Sequence, residues 1–340
     1  MPRAPRFWWQ TRPTLAATLL RPLGWLYGMI TLRRMRQPGA ELPVPVICIG
    51  NFVAGGAGKT PTAIAVADML ARRGETPFVL MRGYGGRLAG PVEVDPAGHA
   101  AADVGDEPML MARHVRTVIA RDRLAGARLA HGLGASVIVM DDGLQNPALA
   151  KRLKLAVVDG ASGVGNGLCL PAGPLRAPLV DQIGEVDAVI VIGEGEAGRQ
   201  VAAAVRSQGR PVIGARLEPL ASAAQRLKRR EVLALSGIGR PEKFAATLRE
   251  IGATLVAERA FGDHHPYTDG DIAAAIAEAM ARGALIATTE KDWTKLAARW
   301  PDAEANRLVV LPVRLVFAEQ APIENLLAGA FRAGPIRLNR

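Results

Sequence analysis

The sequence predicts an α/β protein: a mainly parallel sheet of the phosphate-loop NTPase type flanked by helices, a smaller second α/β unit, and an N-terminal membrane-associated helix. Three observations predict it. Strands such as 46–49 and 135–140 recur between helix-forming segments and are apolar throughout rather than alternating, as in a parallel sheet covered on both faces. The first strand runs into a glycine-rich turn that ends in Lys59-Thr60 at the head of a helix. Residues 1–45 are aromatic and basic, with no acidic residue before Glu41.

The turn reads Gly50-Asn-Phe-Val53-Ala54-Gly55-Gly56-Ala57-Gly58-Lys59-Thr60-Pro61, and residues 62–70 continue as an apolar helix until Gly74. Glycines leave backbone N–H groups free to turn toward phosphate oxygens, and the helix N-terminus behind them adds a favourable dipole. Val53, Ala54, Gly55, Gly56, Ala57, Gly58, Lys59 and Thr60 are therefore the candidate nucleotide cradle. Lys59 would reach the β- and γ-phosphates of a bound nucleotide, and the Thr60 hydroxyl would ligate Mg²⁺. The strict spacing G-x-x-x-x-G-K-[ST] asks for glycine at position 53, where this chain has Val53. Gly55 and Gly56 must then supply the flexibility nearer the lysine. A glycine-rich turn that binds nothing is the competing reading, and the strand, loop and helix context argues against it.

The bulk composition narrows the classes. A chain of 340 residues can bury ample core, and its length suggests about two domains. With aromatics at 4%, the cores must be built from Ala, Val, Leu and Ile. The net charge of +10 points to an anionic ligand or surface, arginine-rich composition being the bland explanation. No dense basic run is interleaved with aromatics and no zinc spacing occurs, which ranks nucleic acid low. Cys48 and Cys169 cannot form a disulfide framework or a zinc site, and they fit a reducing cytoplasm.

In the N-terminal segment Trp8, Trp9, Trp25 and Tyr27 lie among Leu15, Leu19, Leu23, Leu26 and Ile30, with Arg21, Arg33, Arg34 and Arg36 around them. No small-residue cleavage site follows, which argues against a signal peptide. A spanning helix needs about 20 mostly apolar residues. The longest uncharged stretch here, 22–32, is 11 residues, and Arg21-Pro22 interrupts a longer one. A helix lying in the bilayer interface with arginines on anionic headgroups fits better, although a snorkelling Arg21 permits a span. A helix packed on the protein's own core is the alternative. Pro38-Gly39 and Pro43-Val-Pro45 punctuate a linker, which makes 1–45 a separate segment.

Further strands are expected at 76–81, 117–120, 135–140, 155–159 and 188–192, with a helix from Arg123 to about His131. The pattern restarts near Pro211: a strand from 232, a helix over 244–251 and a strand over 284–289 suggest the second unit. The expected organisation is a phosphate-loop domain at 46–212 and a smaller α/β domain at 213–340.

Asp141-Asp142, at the end of an apolar strand, is what a phosphate-loop fold needs opposite Thr60 to hold a metal, although Asp-Asp-Gly is also ordinary turn chemistry. Asp106, in Gly105-Asp-Glu-Pro108, reads most simply as a helix N-cap. Asp263-His264-His265 places an acid beside two imidazoles, a pairing more often structural but able to move protons. Arg82 and Arg123 each follow a strand on the edge where open α/β sheets bind ligands, and either could clamp a phosphate or be a surface charge. The segment from Gly165-Asn-Gly167 to Pro174-Leu-Arg176 reads as a rigid loop without assignable chemistry.

These segments together resemble the tetraacyldisaccharide 4′-kinase family of lipid A biosynthesis over nearly the whole chain. The resemblance is carried by Gly50-Asn51 through Thr60-Pro61, Arg82-Gly-Tyr-Gly-Gly86, Gly105-Asp-Glu-Pro108 and Asp141-Asp-Gly-Leu-Gln145. It continues through Gly165-Asn-Gly167, Leu170-Pro-Ala-Gly-Pro-Leu-Arg176, Gly237-Ile-Gly239, Asp263-His264 and Thr289-Glu-Lys-Asp292. The family's loop looks like GGxGKT without a leading glycine, which accounts for Val53. Asn146 and Ala177 depart from the family, which commonly has His and Glu there.

The resemblance implies transfer of the ATP γ-phosphoryl group to the 4′-hydroxyl of a tetraacylated glucosamine disaccharide 1-phosphate, the lipid A disaccharide. It implies that Lys59 and Thr60 hold phosphates and Mg²⁺, that Asp141 and Asp142 support the metal, and that Asp106 and His264 form a proton-accepting dyad. Arg123 helps stabilise charge. Because Asp106 and His264 lie in different units, closure between them is expected to assemble the site. The implied location is the cytoplasmic face of the inner membrane, with no nucleic acid and no obligate protein partner. The competing expectation is a nucleotide-dependent chaperone or targeting NTPase, against which Ala54 stands where many such loops carry a second lysine.

Overall fold

The computed structural model describes residues 4–10, 14–56, 58–263 and 265–332. After a 3₁₀ turn at Arg6–Trp9 comes helix α1 (Leu15–Met35), whose first turn is capped by the Thr14 hydroxyl accepting from the Ala17 N–H. α1 runs unbroken through Arg21-Pro22, which interrupt only its uncharged stretch. A proline removes one helical hydrogen bond, and contacts along one stripe of α1 compensate. A Cβ at Gly24 would stand 2.6 Å from the Cys169 carbonyl oxygen, and one at Gly28 would stand 2.8 Å from Cys169 Sγ. Leu32 and Met35 are buried, and Arg36 pairs with Asp181 and Glu185. The rest of the helix circumference exposes Leu15, Leu19, Leu23, Trp25, Leu26 and Ile30, the reverse of a water-facing helix.

The larger sheet contains β1 (Val46–Asn51), β2 (Pro77–Met81), β3 (Val92–Glu93), β4 (Thr117–Ile119), β5 (Val137–Asp141), β6 (Leu153–Asp159), β7 (Ala188–Ile192), β8 (Val212–Pro219) and β13 (Val313–Phe317). Their spatial order is β13-β8-β7-β6-β1-β5-β2-β4-β3. The inner strands are parallel, and only the edge strands β3 and β13 run antiparallel to their neighbours. A smaller parallel sheet contains β9 (Glu231–Ser236), β10 (Thr254–Ala260), β11 (Leu285–Thr289) and β12 (Leu308–Leu311), in the order β10-β9-β11-β12.

Every residue of β1 is buried, as its unbroken apolar run requires. Ile47 and Ile49 pack with α2 (Lys59–Arg72), α4 (Asp106–Ala112) and α12 (Gln320–Arg332). Val46 and Cys48 face the other side, covered by α1, α5 (Arg123–Gly132), α6 (Leu179–Gly184) and α7 (Glu196–Ser207). A short α3 (Ala101–Val104) precedes α4. On the smaller sheet, α8 (Ala221–Leu227) and α9 (Pro241–Glu250) cover one face, and α10 (Asp269–Ala281) and α11 (Glu290–Leu296) the other.

The expected division at residue 213 is corrected by strand pairing. β8 pairs with β7, β13 returns to pair with β8, and α12 packs against β6. The small sheet is therefore an excursion between β8 and β13, and residues 313–332 belong with the large sheet. β8 misleads because it alternates buried and exposed residues next to an edge strand. It does not carry the apolar run of its neighbours.

Candidate active site

β1 lies between β6 and β5, so its carboxyl end opens where connections leave toward opposite sides of the sheet, the usual ligand position in such folds. The loop there is held from outside. The Ala54 N–H donates to the Pro174 carbonyl at 2.8 Å, and Asn51 Nδ2 donates to the Gly55 carbonyl at 2.8 Å. Val53 forms a bridge to Leu175 and is buried, so this position belongs to the supporting wall and needs no glycine. Gly58 caps α2 at φ +89°, where a Cβ would stand 2.5 Å from Ile192 Cδ1. At Gly55 (φ +116°) and Gly56 an added Cβ would meet nothing within 4 Å, so this backbone borders open space. Lys59 Nζ lies over the loop, 3.2 Å from the Gly55 carbonyl oxygen, and Thr60 follows in the first turn of α2. Ala57 lies outside the described residues.

Register pairs Asp141 with Ile49, which places the carboxylates beside the start of the loop. The two acids differ sharply. Asp141 is buried, and its Oδ1 finds no donor among the described residues. Burial, aided by neighbouring Asp142 and opposed by Lys59, raises its carboxyl to about 7. Asp142 sits at φ +50°, tied to β1 by its N–H donating to the Ile49 carbonyl at 2.9 Å. Burial pushes its carboxyl up, but Lys59 at 3.8 Å and Arg176 at 3.0 Å outweigh that and hold it below the ordinary range. An orphaned buried oxygen, a second carboxylate and a hydroxyl across the loop fit Mg²⁺, which takes one or two carboxylates together with phosphate oxygens.

Arg123 opens α5 behind an Asp122 cap and is buried, with Nη1 donating to the Ala120 carbonyl at 2.8 Å. Burial and the nearby Arg82 lower its guanidinium to about 10, while Asp141 and Asp142 pull it back up. It therefore lies within electrostatic reach of the carboxylate pair. Arg82, just past β2, is exposed.

Asp106 is buried at the start of α4. The cap position expected for it belongs to Gly105 (φ +97°), where a Cβ would stand 2.3 Å from the Tyr84 carbonyl oxygen. Asp106 Oδ1 instead accepts from the Glu107 N–H at 3.1 Å. His264 lies outside the described residues. Its neighbour Asp263 shares a cation with the neighbour of Asp106: Lys291 Nζ lies 3.2 Å from Glu107 Oε1 and 3.2 Å from Asp263 Oδ1. At the other end of α4, His114 Nε2 meets Glu290 Oε1 at 3.2 Å. A separate joint forms where Arg240 and Lys243 of the small-sheet unit bind Asp159 at the end of β6.

Sequence reasoning passed over several of these residues. Arg176 also donates to the Val53 carbonyl at 3.2 Å and to Gln145 Oε1 at 3.1 Å, so it ties the Asp142 carboxylate to the wall of the loop. Only the Leu170–Arg176 motif marked it in advance. Asp292 is buried and accepts from the Gly237 N–H at 3.0 Å, which joins two motifs that are distant in the chain. The departures are local: the Asn146 side chain accepts from the Ala148 N–H at 2.9 Å, and the Ala177 carbonyl accepts from Gln182 Nε2 at 2.6 Å.

The chain is similar to known proteins over most of its length. The profile of a family described as tetraacyldisaccharide-1-P 4′-kinase matches residues 16–332. A tetraacyldisaccharide 4′-kinase of Methylobacterium sp. (strain 4-46) is 53% identical over 339 residues, 98% of this chain and 100% of that protein. One from Bradyrhizobium sp. (strain ORS 278) is 50% identical over 326 residues, 96% of this chain and 97% of that protein. The crystal structure of LpxK from Aquifex aeolicus in complex with ATP superimposes with a TM-score of 0.73 at 27% identity, covering 93% of this chain and 100% of that one. On the extent of these matches, the chain belongs to the tetraacyldisaccharide-1-P 4′-kinase family.

Proposed function

We propose that this protein transfers the γ-phosphoryl group of ATP to the 4′-hydroxyl of tetraacyldisaccharide 1-phosphate at the cytoplasmic face of the inner membrane. The observation that carries the reading is the open glycine loop at the end of β1, with Lys59 over it and the Asp141–Asp142 pair alongside. Phosphoryl transfer asks the protein for in-line positioning and charge neutralisation rather than covalent chemistry. The loop backbone beyond Ala54, around Gly55, Gly56 and Gly58, holds the triphosphate together with Lys59. Thr60 and the Asp141–Asp142 pair would hold Mg²⁺, which when bound would supply further neutralisation of the phosphates. Arg123 adds positive charge beside the transferring group.

In the reaction the 4′-oxygen forms a bond to γ-phosphorus while the bond from γ-phosphorus to the β,γ-bridging oxygen breaks, and ADP leaves. Asp106, with His264, accepts the hydroxyl proton. A sugar hydroxyl is a weak acid, so the proton leaves late and the base need only be close and correctly aligned. The partial burial of the Asp106 region excludes competing water.

The lipid substrate explains α1. Its 21 residues span roughly 30 Å at 1.5 Å per residue, and they are long and apolar enough to meet a bilayer. Its outward face carries Leu19, Leu23, Leu26 and Ile30, and Arg33 and Arg34 close the last turn, where anionic headgroups lie. A chaperone or targeting NTPase leaves this face unexplained and is not favoured.

The test is direct. Purified protein, γ-labelled ATP and tetraacyldisaccharide 1-phosphate should yield labelled lipid; ATP consumption with no label in lipid contradicts the reading. Membrane seating needs point changes, because removing 1–36 would also strip Leu32 and Met35 from the core. The triple change Leu23→Glu, Leu26→Glu, Ile30→Glu should move the folded protein out of the membrane fraction, and unchanged partitioning contradicts that part.

A further inference from the structure

Among the described residues, the ion pairs between the two sheets fall into two joints with different surroundings. Arg240 and Lys243 meet Asp159 at the end of β6, where the Arg240 guanidinium also stands 5.9 Å from the Trp9 ring centre. Lys291, from the first turn of α11, enters at the N-terminus of α4 and bridges Glu107 and Asp263 at 3.2 Å each. Its side chain is 20% exposed. α11 packs along α4, and Glu290 reaches His114 at the far end, so α4 is gripped at both ends by adjacent residues of one helix. The two acids that Lys291 holds are sequence neighbours of the proposed proton-accepting pair: Glu107 follows Asp106 and Asp263 precedes His264. Burial pulls the ammonium down, but Glu107, Asp106 and Asp263 together hold it above its ordinary value, so it stays a cation.

We propose that Lys291 is a positioning residue for proton transfer, locking Asp263 onto the start of α4 so that Asp106 keeps its place in the acceptor half of the site. The proposal rests on the phosphoryl-transfer reading above. A cation shared by two carboxylates on separate units fixes their separation more tightly than packing of two surface loops, and misplacement of a reacting group by about 1 Å can cost on the order of 100-fold in rate. The same charge favours the ionised, proton-accepting form of nearby carboxylates.

The experiment uses full-length protein in mixed micelles with ATP and tetraacyldisaccharide 1-phosphate. Lys291→Met should lower kcat by about 10- to 100-fold while KM for ATP stays within about twofold, and Lys291→Arg should recover most of the loss. The acidic limb of the kcat–pH profile should move upward in Lys291→Met. Lys243→Met, which removes one of the two cations of the other joint, should leave that limb in place. In an Asp106→Ala background, Lys291→Met should cost less than about twofold, because residues acting through one unit are not additive. If Lys291→Met does not fold by thermal unfolding, Glu107→Gln tests the same contact from the other side. A kcat within about twofold of wild type for Lys291→Met, or full additivity with Asp106→Ala, overturns the proposal while the kinase reading stands. Asp106→Ala at wild-type rate overturns the dyad itself, a distinct result.

Discussion

The glycine loop and the α4–α11 joint, the two halves of the proposed site, are built on different principles. The loop stands on the central strand of a nine-stranded sheet, and its wall is one continuous network: Val53 to Leu175, Ala54 to Pro174, Arg176 to Asp142. The joint brings together segments nearly two hundred positions apart through ion pairs that are partly exposed. Such pairs are individually weak, about 0–1 kcal/mol. On the proposed reading the nucleotide half keeps its shape through backbone contacts, while the acceptor half is set by the few charges of the joint.

The comparison can be broken most forcefully at the loop. Lys59→Ala removes the cation over the phosphates, and kcat should fall about 10³-fold, the scale for losing one charge-stabilising donor in a dry site. Initial-rate kinetics read it, and a loss below about tenfold would mean that the loop does not hold the transferring group.

Asp141→Asn separates stability from function within the loop region. The folded carboxyl, raised to about 7, binds its proton more tightly than in the unfolded chain, so metal-free stability falls as pH rises from about 4 through 7. At pH 8 in EDTA the amide should therefore raise stability by about 1–3 kcal/mol while phosphoryl transfer is lost. Calorimetry checks it, and a lower melting point for Asp141→Asn contradicts this electrostatic account.

The smallest effect belongs to the joint. The hydrogen bond to Glu290 raises the His114 imidazole above its ordinary value, so the pair contributes fully below about pH 6.5 and is lost as pH rises through the raised value. His114→Gln should cost about 0.5 kcal/mol at pH 6 and nothing at pH 9 in urea unfolding. An equal cost at both pH values would show packing rather than charge.

Legibility in the sequence follows the same division. The strands at 46–51, 188–192 and 285–289 stand within a residue or two of where apolar runs placed them, because a strand buried on both faces has to be apolar throughout. The phosphate loop was readable because its chemistry is local, with glycines, lysine and helix start contiguous. β8 and β13 were not readable as parts of the large sheet, since a half-exposed edge pair resembles any amphipathic strand. Helix α1 kept its course through Pro22 because Gly24 and Gly28 seat it on Cys169, a contact between distant segments that no local pattern encodes. Arg176 and Lys291 belong to the same class. Their roles depend on what the fold brings beside them, and only motif resemblance marked them.

On the proposed mechanism Asp106, held at the start of α4, takes the proton from the lipid hydroxyl as the γ-phosphoryl group leaves ATP. Single-turnover transfer by Asp106→Ala, with lipid and ATP both saturating, measures it most directly. The account predicts a rate lower by about 10²–10⁴-fold with ATP affinity unchanged. A rate within a few-fold of wild type would contradict it.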